Sequence, residues 1–405
     1  MESIKKRTSI RKYADREVTD ELLNRLLEEA MRTPTMGNLQ LYSVVVTRSE
    51  EGKKALAPAH FNQPMVTGAP VVLTICADYR RTTLWAENRK GTPGYDNILS
   101  FMNAATDALL FTQTFTNLAE EAGLGTCFLG TTVYMPKMII DTLKLPKLVM
   151  PVATLTIGWP DEQPALSDRL PLRSIIHNEH FEDYTPEKID DFYAEKEALE
   201  ENQEFVRINN VETLAQVFTD IRYTKKDCEA MSIGFLDALK QQGLVGHVGC
   251  TDLQLENLQW IIEHTPAGTV EGVLNFCHYC LNDDKLTDYM DFFDAHGVGF
   301  VNASPFSMGL LTQRGVPQWH PAPSALVESC RKAADYCKSQ GYPIEKLAIQ
   351  YACSHERICS TVFSTTSAER VRQNLEYLAE PIDWALVEKV HELVGDQFRV
   401  SWKNS

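Results

Sequence analysis

The sequence predicts an α/β protein built as two modules, on three observations. Its 405 residues exceed what one hydrophobic core ordinarily organises. Strand-like and helix-like segments interleave from one end to the other, with a change of pattern after Gly246, where short strands begin to alternate with amphipathic helices. Cysteine usage changes at the same place: Cys76, Cys127 and Cys228 precede it, and the other seven of the ten follow it. The expected organisation is an α+β module over residues 1–245 and half of a (β/α)8 barrel over residues 246–405.

In the first module, Thr19 to Met31 begins with a capping threonine and sets Leu22, Leu23, Leu26, Leu27 and Ala30 on one helical face. Tyr42 to Thr47 and Pro70 to Ala77 are dense in β-branched residues and short, as strands are. A long helix is predicted between Asn97 and Ala122. Its apolar residues spread around much of the circumference, with Ala104, Ala105 and Ala108 interleaved, so it must be buried on more than one side, in the core or between subunits. Gly123 to Gly130 ends that helix, and Val152 to Ile157 reads as a further strand before the turn Gly158-Trp159-Pro160. Pro186 to Asn210 is acidic and polar, and reads either as a solvated helix or as an arm across a partner.

In the second module, HVGCT, VEGVLNF, GVGFVNAS and ICSTVFST are strand candidates. Helical stretches such as LQLENLQWIIEHT and SAERVRQNLEYL follow them. Four β/α units are half the content of an eight-fold barrel.

Composition narrows the function classes. A content of 44% hydrophobic and 23% charged residues is that of a folded globular protein. A net charge of −16 repels phosphate backbones and anionic lipid, so neither nucleic acid nor a membrane surface is an expected partner, and small molecules are. No apolar run reaches the length of a membrane helix, and MESIKKRTSIRKY lacks the apolar stretch of a secretory signal. The cysteines follow no paired framework, so reduced thiols and a cytoplasmic location are expected. Cys277-His278-Tyr279-Cys280 has no second pair at metal-ligand spacing, and no metal is expected.

Two clusters carry binding chemistry. Arg7-Thr8-Ser9-Ile10-Arg11 places two guanidinium groups and two hydroxyls within five residues, a donor set suited to a phosphate. Taken alone, an N-terminal basic run is more often a solvated surface. Pro34-Thr35-Met36-Gly37-Asn38-Leu39-Gln40 is a turn opening into a strand, whose amides could meet the polar edge of a ring system. Alone, it reads as an ordinary Asn/Gly turn.

Together these pieces resemble the nitroreductase family. The carriers are RTSIRKY, PTMGNLQLYSVVV, NQPMVTGAPVVLTICAD, the long helix ending EEAGLGTCFLG, the strand with GWP, Arg169-Leu170-Pro171-Leu172 leading to IIHNEHFEDY, and the late stretch LAQVFTDIRYTKKD. The resemblance implies FMN held without a covalent link. Arg7, Thr8, Ser9, Arg11 and Arg169 would take its phosphate. Thr35, Asn38, Gln40, Gln63 and Met65 would border the ring or ribityl chain, and the Leu129-Gly130 backbone would lie near the reactive face. A basic residue frequent in the family two positions before the RLP arginine is Ser167 here, leaving the phosphate fewer charges. The implied activity is ping-pong reduction of nitroaromatics, quinones or flavins by NADH or NADPH through flavin N5, with no catalytic side chain, in a homodimer whose sites lie at the subunit interface. Cys127 beside that site has no cation adjacent in sequence and is expected to be a packing residue.

From Gly246 onward the chain resembles the C-terminal half of an aldo-keto reductase of the galactose or fucose dehydrogenase branch. HVGCTDLQLENL, NFCHYCLNDDKLTDYM, NASPFSMGLLTQRGVPQWHPA and STVFSTTSAERVRQNL carry that likeness. By that resemblance Ser304, Phe306, Leu310, Thr312, Ser364, Arg370, Gln373 and Asn374 would line the pyrophosphate and adenosine end of NADP. Ser364 stands where many relatives carry a basic residue for the 2′-phosphate. The family's catalytic Asp, Tyr, Lys and His belong to four earlier strands that have no matching run before residue 246, so sugar or aldehyde chemistry is not expected. The alternative for the whole chain is a catalytically idle fusion that binds nucleotide or serves as a scaffold.

Overall fold

A computed structural model describes residues 2–402. The chain divides between Gly246 and His247 into two compact units.

The first unit is built on an antiparallel sheet of order β1-β2-β4-β3, made of β1 (Tyr42–Thr47), β2 (Val71–Asp78), β3 (Gly125–Phe128) and β4 (Val149–Gly158). β2 and β4 are central, and every residue of β2 is buried, which explains why it reads as an unbroken apolar run rather than an alternation. The long helix Ile98–Glu121 starts at Asn97, whose side chain accepts from Ser100 N at 2.9 Å. Its Ala108, Phe111, Phe115 and Ala119 pack on Leu73, Ile75, Leu155 and Ile157 of the sheet. A second side of the helix stays exposed at Leu99, Met102, Leu109 and Leu110.

Strand β3 lies inside the stretch expected only to terminate that helix, and the glycines explain the difference. A Cβ on Gly125 would come within 2.8 Å of the Ile10 side chain, and one on Gly158 would meet Pro70 at 2.6 Å and the Tyr13 ring at 2.7 Å. Glycine here marks another segment of the same chain lying close against the strands. Ile10 N donates to Thr126 O and Ala14 N to Trp159 O, both at 2.9 Å, so residues 10–14 run beside β3 and the end of β4. The acidic stretch forms two helices, Pro186–Ala198 and Glu200–Ile208, followed by a π-helical turn, Val217–Arg222, and the helix Lys225–Gln241.

The second unit is a parallel sheet of order β5-β6-β7-β8, comprising β5 (Gly249–Asp252), β6 (Gly272–Phe276), β7 (Gly299–Ala303) and β8 (Ser360–Val362). Helices including Leu255–Glu263, Ser324–Ser339, Ile344–Ala352 and Trp384–Val394 pack with Val273 and Phe300 into one core.

Candidate active site

The Arg7–Arg11 segment is fixed by its backbone and leaves much of its donor chemistry unspent. Ile10 is sewn to β3, and the Tyr13 hydroxyl donates to Ile10 O at 2.7 Å. Arg11 N and Lys12 N both donate to Glu162 Oε1, the latter at 2.9 Å. Those backbone bonds hold the Glu162 carboxyl below the usual carboxylate range. Arg7 Nε lies 3.5 Å from Glu120 Oε1, which also accepts from Thr126 Oγ1 at 2.7 Å. Burial raises the Glu120 pKa against both partners. Among the described residues, no hydrogen bond uses the Thr8 or Ser9 hydroxyl and no carboxylate pairs with the Arg11 guanidinium. A phosphate fits that set of open donors.

The Thr35–Gln40 loop is tightly wound. Gly37, Asn38 and Gln40 have φ of 55°, 57° and 48°, so two non-glycine residues are held in the left-handed region. Asp107 of the long helix, 2% exposed, clamps both ends of the loop: Met36 N donates to Oδ1 at 2.9 Å and Leu41 N to Oδ2 at 3.2 Å. The Gln40 side-chain amide donates to Asn38 Oδ1 at 2.8 Å, and Thr35 Oγ1 accepts from Gln40 N at 3.4 Å. Arg81 donates to the Gln40 and Tyr42 carbonyls.

Gln63 and Gly130 line a cavity of about 690 Å³. Nothing lies within 4 Å of where a Gly130 Cβ would be, so the backbone there is open to a flat ligand. Met65 and Leu129, at 9% and 4% exposed, instead pack with Cys127 in a small core, so their side chains do not border the cavity. Beside it His60 is fully buried, with Nδ1 2.8 Å from Thr131 Oγ1 and no partner at Nε2. Burial pushes its pKa down to about 4. The Cys127 thiol is pushed up by burial, which outweighs Arg11 and Arg7; the cations absent from its sequence neighbourhood are supplied by the fold. Arg169 is exposed, and its Nη1 donates to Asp168 O at 2.7 Å. Among the described residues no hydrogen bond joins it to the Arg7–Arg11 segment.

Sequence reasoning missed the cavity's other wall. Arg222, Tyr223, Cys228, Met231 and Phe235 come from the π-helical turn and the helix after it. The Arg222 guanidinium lies 4.4 Å from the centroid of Phe205 and 5.6 Å from that of Phe218. The one available signal was the stretch IRYTKKD, which no spacing rule connects to Gln63 or Gly130.

A second cavity, also about 690 Å³, lies in the second unit. Phe306, Thr312, Ser364, Arg370, Gln373 and Asn374 line it, six of the eight positions expected to hold a dinucleotide. Leu310 is 3% exposed in the core, and Ser304, with φ of 58°, turns the chain after β7.

Comparison with known proteins agrees with both parts. The nitroreductase family profile matches residues 4–159 and the aldo/keto reductase family profile residues 181–394. An FMN reductase [NAD(P)H] of Bacillus subtilis is 33% identical over 186 residues, 45% of this chain and 74% of that protein. An L-galactose dehydrogenase of Arabidopsis thaliana is 35% identical over 193 residues, 47% of this chain and 60% of that protein, so less than two thirds of the plant enzyme is represented. The structure of a candidate oxidoreductase from Bacteroides fragilis superposes with a TM-score of 0.60 at 57% identity, covering 60% of this chain and all of the other.

The family matches and relatives define an NAD(P)H-dependent oxidoreductase. The chain belongs to the nitroreductase family through its first part and to the aldo/keto reductase family through its second. The second match begins at residue 181, well inside the unit that ends at Gly246.

Proposed function

We propose that the first unit binds FMN and reduces small acceptors, among them nitroaromatics, quinones and flavins, at the expense of NADH or NADPH. The observation that carries this reading is the continuity of the site. The segment bearing the open Thr8, Ser9 and Arg11 donors is bonded to β3, and β3 runs directly into Gly130 and the cavity. Arg7, Thr8, Ser9 and Arg11 take the phosphate, with Arg169 as a further cation, and Thr35, Asn38, Gln40 and Gln63 border the ring and ribityl chain. Met65 and Leu129 contribute through backbone and packing. FMN held by these residues would supply the hydride and electron transfer between NAD(P)H and the acceptor that a ping-pong cycle needs.

The protein's part is binding and exclusion. Gly130 lets the ring approach, and Phe61, Met231 and Phe235 dry the cavity. Arg222 sets a positive charge beside an acceptor oxygen that gains electrons. Cys127, buried and held in its thiol form, takes no part. The exposed row Leu99, Met102, Leu109 and Leu110 on the long helix is the face of a homodimer. Among the described residues no helix is long and apolar enough to cross a membrane.

The test is direct: purified protein should be yellow, hold about one FMN per chain and oxidise NADH or NADPH when given menadione or a nitrofuran. Colourless protein that stays inactive after FMN is added back overturns the reading. In the second unit, the cavity around Arg370, Gln373 and Asn374 supports nucleotide binding without sugar oxidation. Galactose or fucose oxidation persisting in an Arg7→Ala/Arg11→Ala variant would move the chemistry there.

A further inference from the structure

The sheet of the second unit is finished on one face only. β6 and β7 are paired on both sides, while β5 and β8 are each paired on one side and leave an outer edge of backbone groups unmatched within the sheet. The register places Thr251, Leu274, Val301 and Ser360 in one row across the four strands, with Val362 two residues beyond Ser360 on the same face. The alternate residues turn to the helices: Val273 and Phe300 are 2% and 1% exposed in the core, and Thr361 Oγ1 donates to Ala352 O at 2.9 Å.

The other face is thinly covered except at the C-terminal ends of β6 and β7, where Phe276 packs against the core and Ala303 is buried. Thr251, Ser360 and Val362 are exposed, and Leu274 and Val301 are half-buried. Among the described residues, none of Leu274, Val301 and Val362 joins a packed apolar cluster. Parallel sheets are stable when both faces are covered, so an aliphatic row beside two open edges calls for an occupant.

Full closure covers the row and gives each free edge a parallel strand in continuation of the sheet. A helix covers the face but pairs no edge, and a hairpin presents only one strand of matching direction. A second copy of the same sheet, related by a two-fold axis along the strands, offers its β5 to β8 and its β8 to β5, with both new pairs parallel. Four strands and four make eight, the number at which a parallel barrel closes with its interior filled by side chains. The geometry points to a second copy of this chain as the partner, with two half-barrels closing into one. This inference rests on the second unit alone and does not depend on the flavin reading.

The test uses the full chain with Val362→p-benzoylphenylalanine, a photoreactive residue at an exposed strand position. Irradiation should give a product of twice the chain mass, in which the new bond joins position 362 to a peptide holding Thr251 or Leu274 of another chain. No product of doubled mass, or attachment only to peptides before residue 247, overturns the inference. Adding Leu274→Arg, which brings like charges together inside the closed barrel, should cut the product by about tenfold or more while the far-ultraviolet circular dichroism of the protein stays unchanged. A product undiminished by that change overturns the inference as well.

Discussion

Asp107→Ala removes the clamp that winds the Thr35–Gln40 loop, and its effect can be worked from two bonds. Met36 N and Leu41 N each lose a carboxylate acceptor. Hydrogen bonds to charged groups contribute about 1.5–3 kcal/mol apiece. The Leu41 bond is the longer at 3.2 Å, the Met36 end is partly open to water, and alanine favours the helix by about 0.5 kcal/mol. The net cost is then about 2–3 kcal/mol. Much of it falls on the loop, because Asn38 and Gln40 would relax from their left-handed conformations once its ends are free. If about 2 kcal/mol must be restored when FMN reorders the loop, the dissociation constant rises roughly thirtyfold. FMN titration by fluorescence quenching measures this, and the flavin visible spectrum reports whether the loop still polarises the ring edge. Asp107→Asn keeps the shape and one acceptor, so its effect should fall between. FMN affinity within about twofold of the parent in both variants, with an unshifted spectrum, would refute the clamp.

Three other outcomes follow from the same site. Arg11→Ala should weaken FMN by about tenfold to a hundredfold with little change in turnover once saturated, the loss of one charge-assisted bond to phosphate; unchanged affinity in titration would make Arg11 a surface charge only. His60 makes stability fall in acid: below about 6.5 the unfolded chain takes a proton there that the folded chain refuses until about pH 4, so roughly 3 kcal/mol is lost as pH drops through that window. Urea unfolding of His60→Asn should show a flatter pH slope over the same range, and an equal slope counts against the assignment. Cys228 is an exposed thiol lining the cavity with Gln63 and Gly130. In protein stripped of FMN, adding the cofactor should slow its alkylation by about tenfold and leave exposed Cys353 and Cys359 unchanged, whereas equal rates at Cys228 would place the ring elsewhere.

What was legible in the sequence was what is local. The cap at Thr19, the apolar face of Leu23, Leu26 and Ala30, and the β-branched runs of β1 and β2 are dictated within a few residues, and all were read. Strand β3 was not, because its glycine answers to Ile10, a residue more than a hundred positions away. The site divides in the same way. RTSIR and PTMGNLQ stand out as clusters, but Asp107, which shapes the second, is one polar residue in a long apolar helix and signals nothing until its partners are seen. The cavity wall from Arg222 to Phe235 depends on how the π-helical turn sets the following helix, which no periodicity encodes. Cys127 packs in a small apolar core, and burial rather than a lack of cations is what disfavours its thiolate.

The join between the two families is itself open to test, because residues 181–246 are claimed by the aldo/keto reductase profile while the chain folds them into the first unit. In the helix Lys225–Gln241, Ala238 and Leu239, with Leu244 beyond it, pack on Leu41, Ala77, Phe101, Ile140 and Met150. Leu148 N donates to Gln242 O at 3.0 Å. The energetic allegiance of this stretch is therefore to the flavin unit. Leu239 is 3% exposed, and Leu239→Ala should cost that unit about 2–5 kcal/mol through lost burial and the cavity left behind. For a unit of this size that lowers the temperature of flavin release by about 5–15 °C. Amide hydrogen exchange separates the units: peptides covering β2 and β4 should exchange faster in the variant, and those covering β6 and β7 should not. Faster exchange in β6 and β7 with β2 and β4 unchanged would show that the helix serves the half-barrel, and that the boundary lies upstream of it.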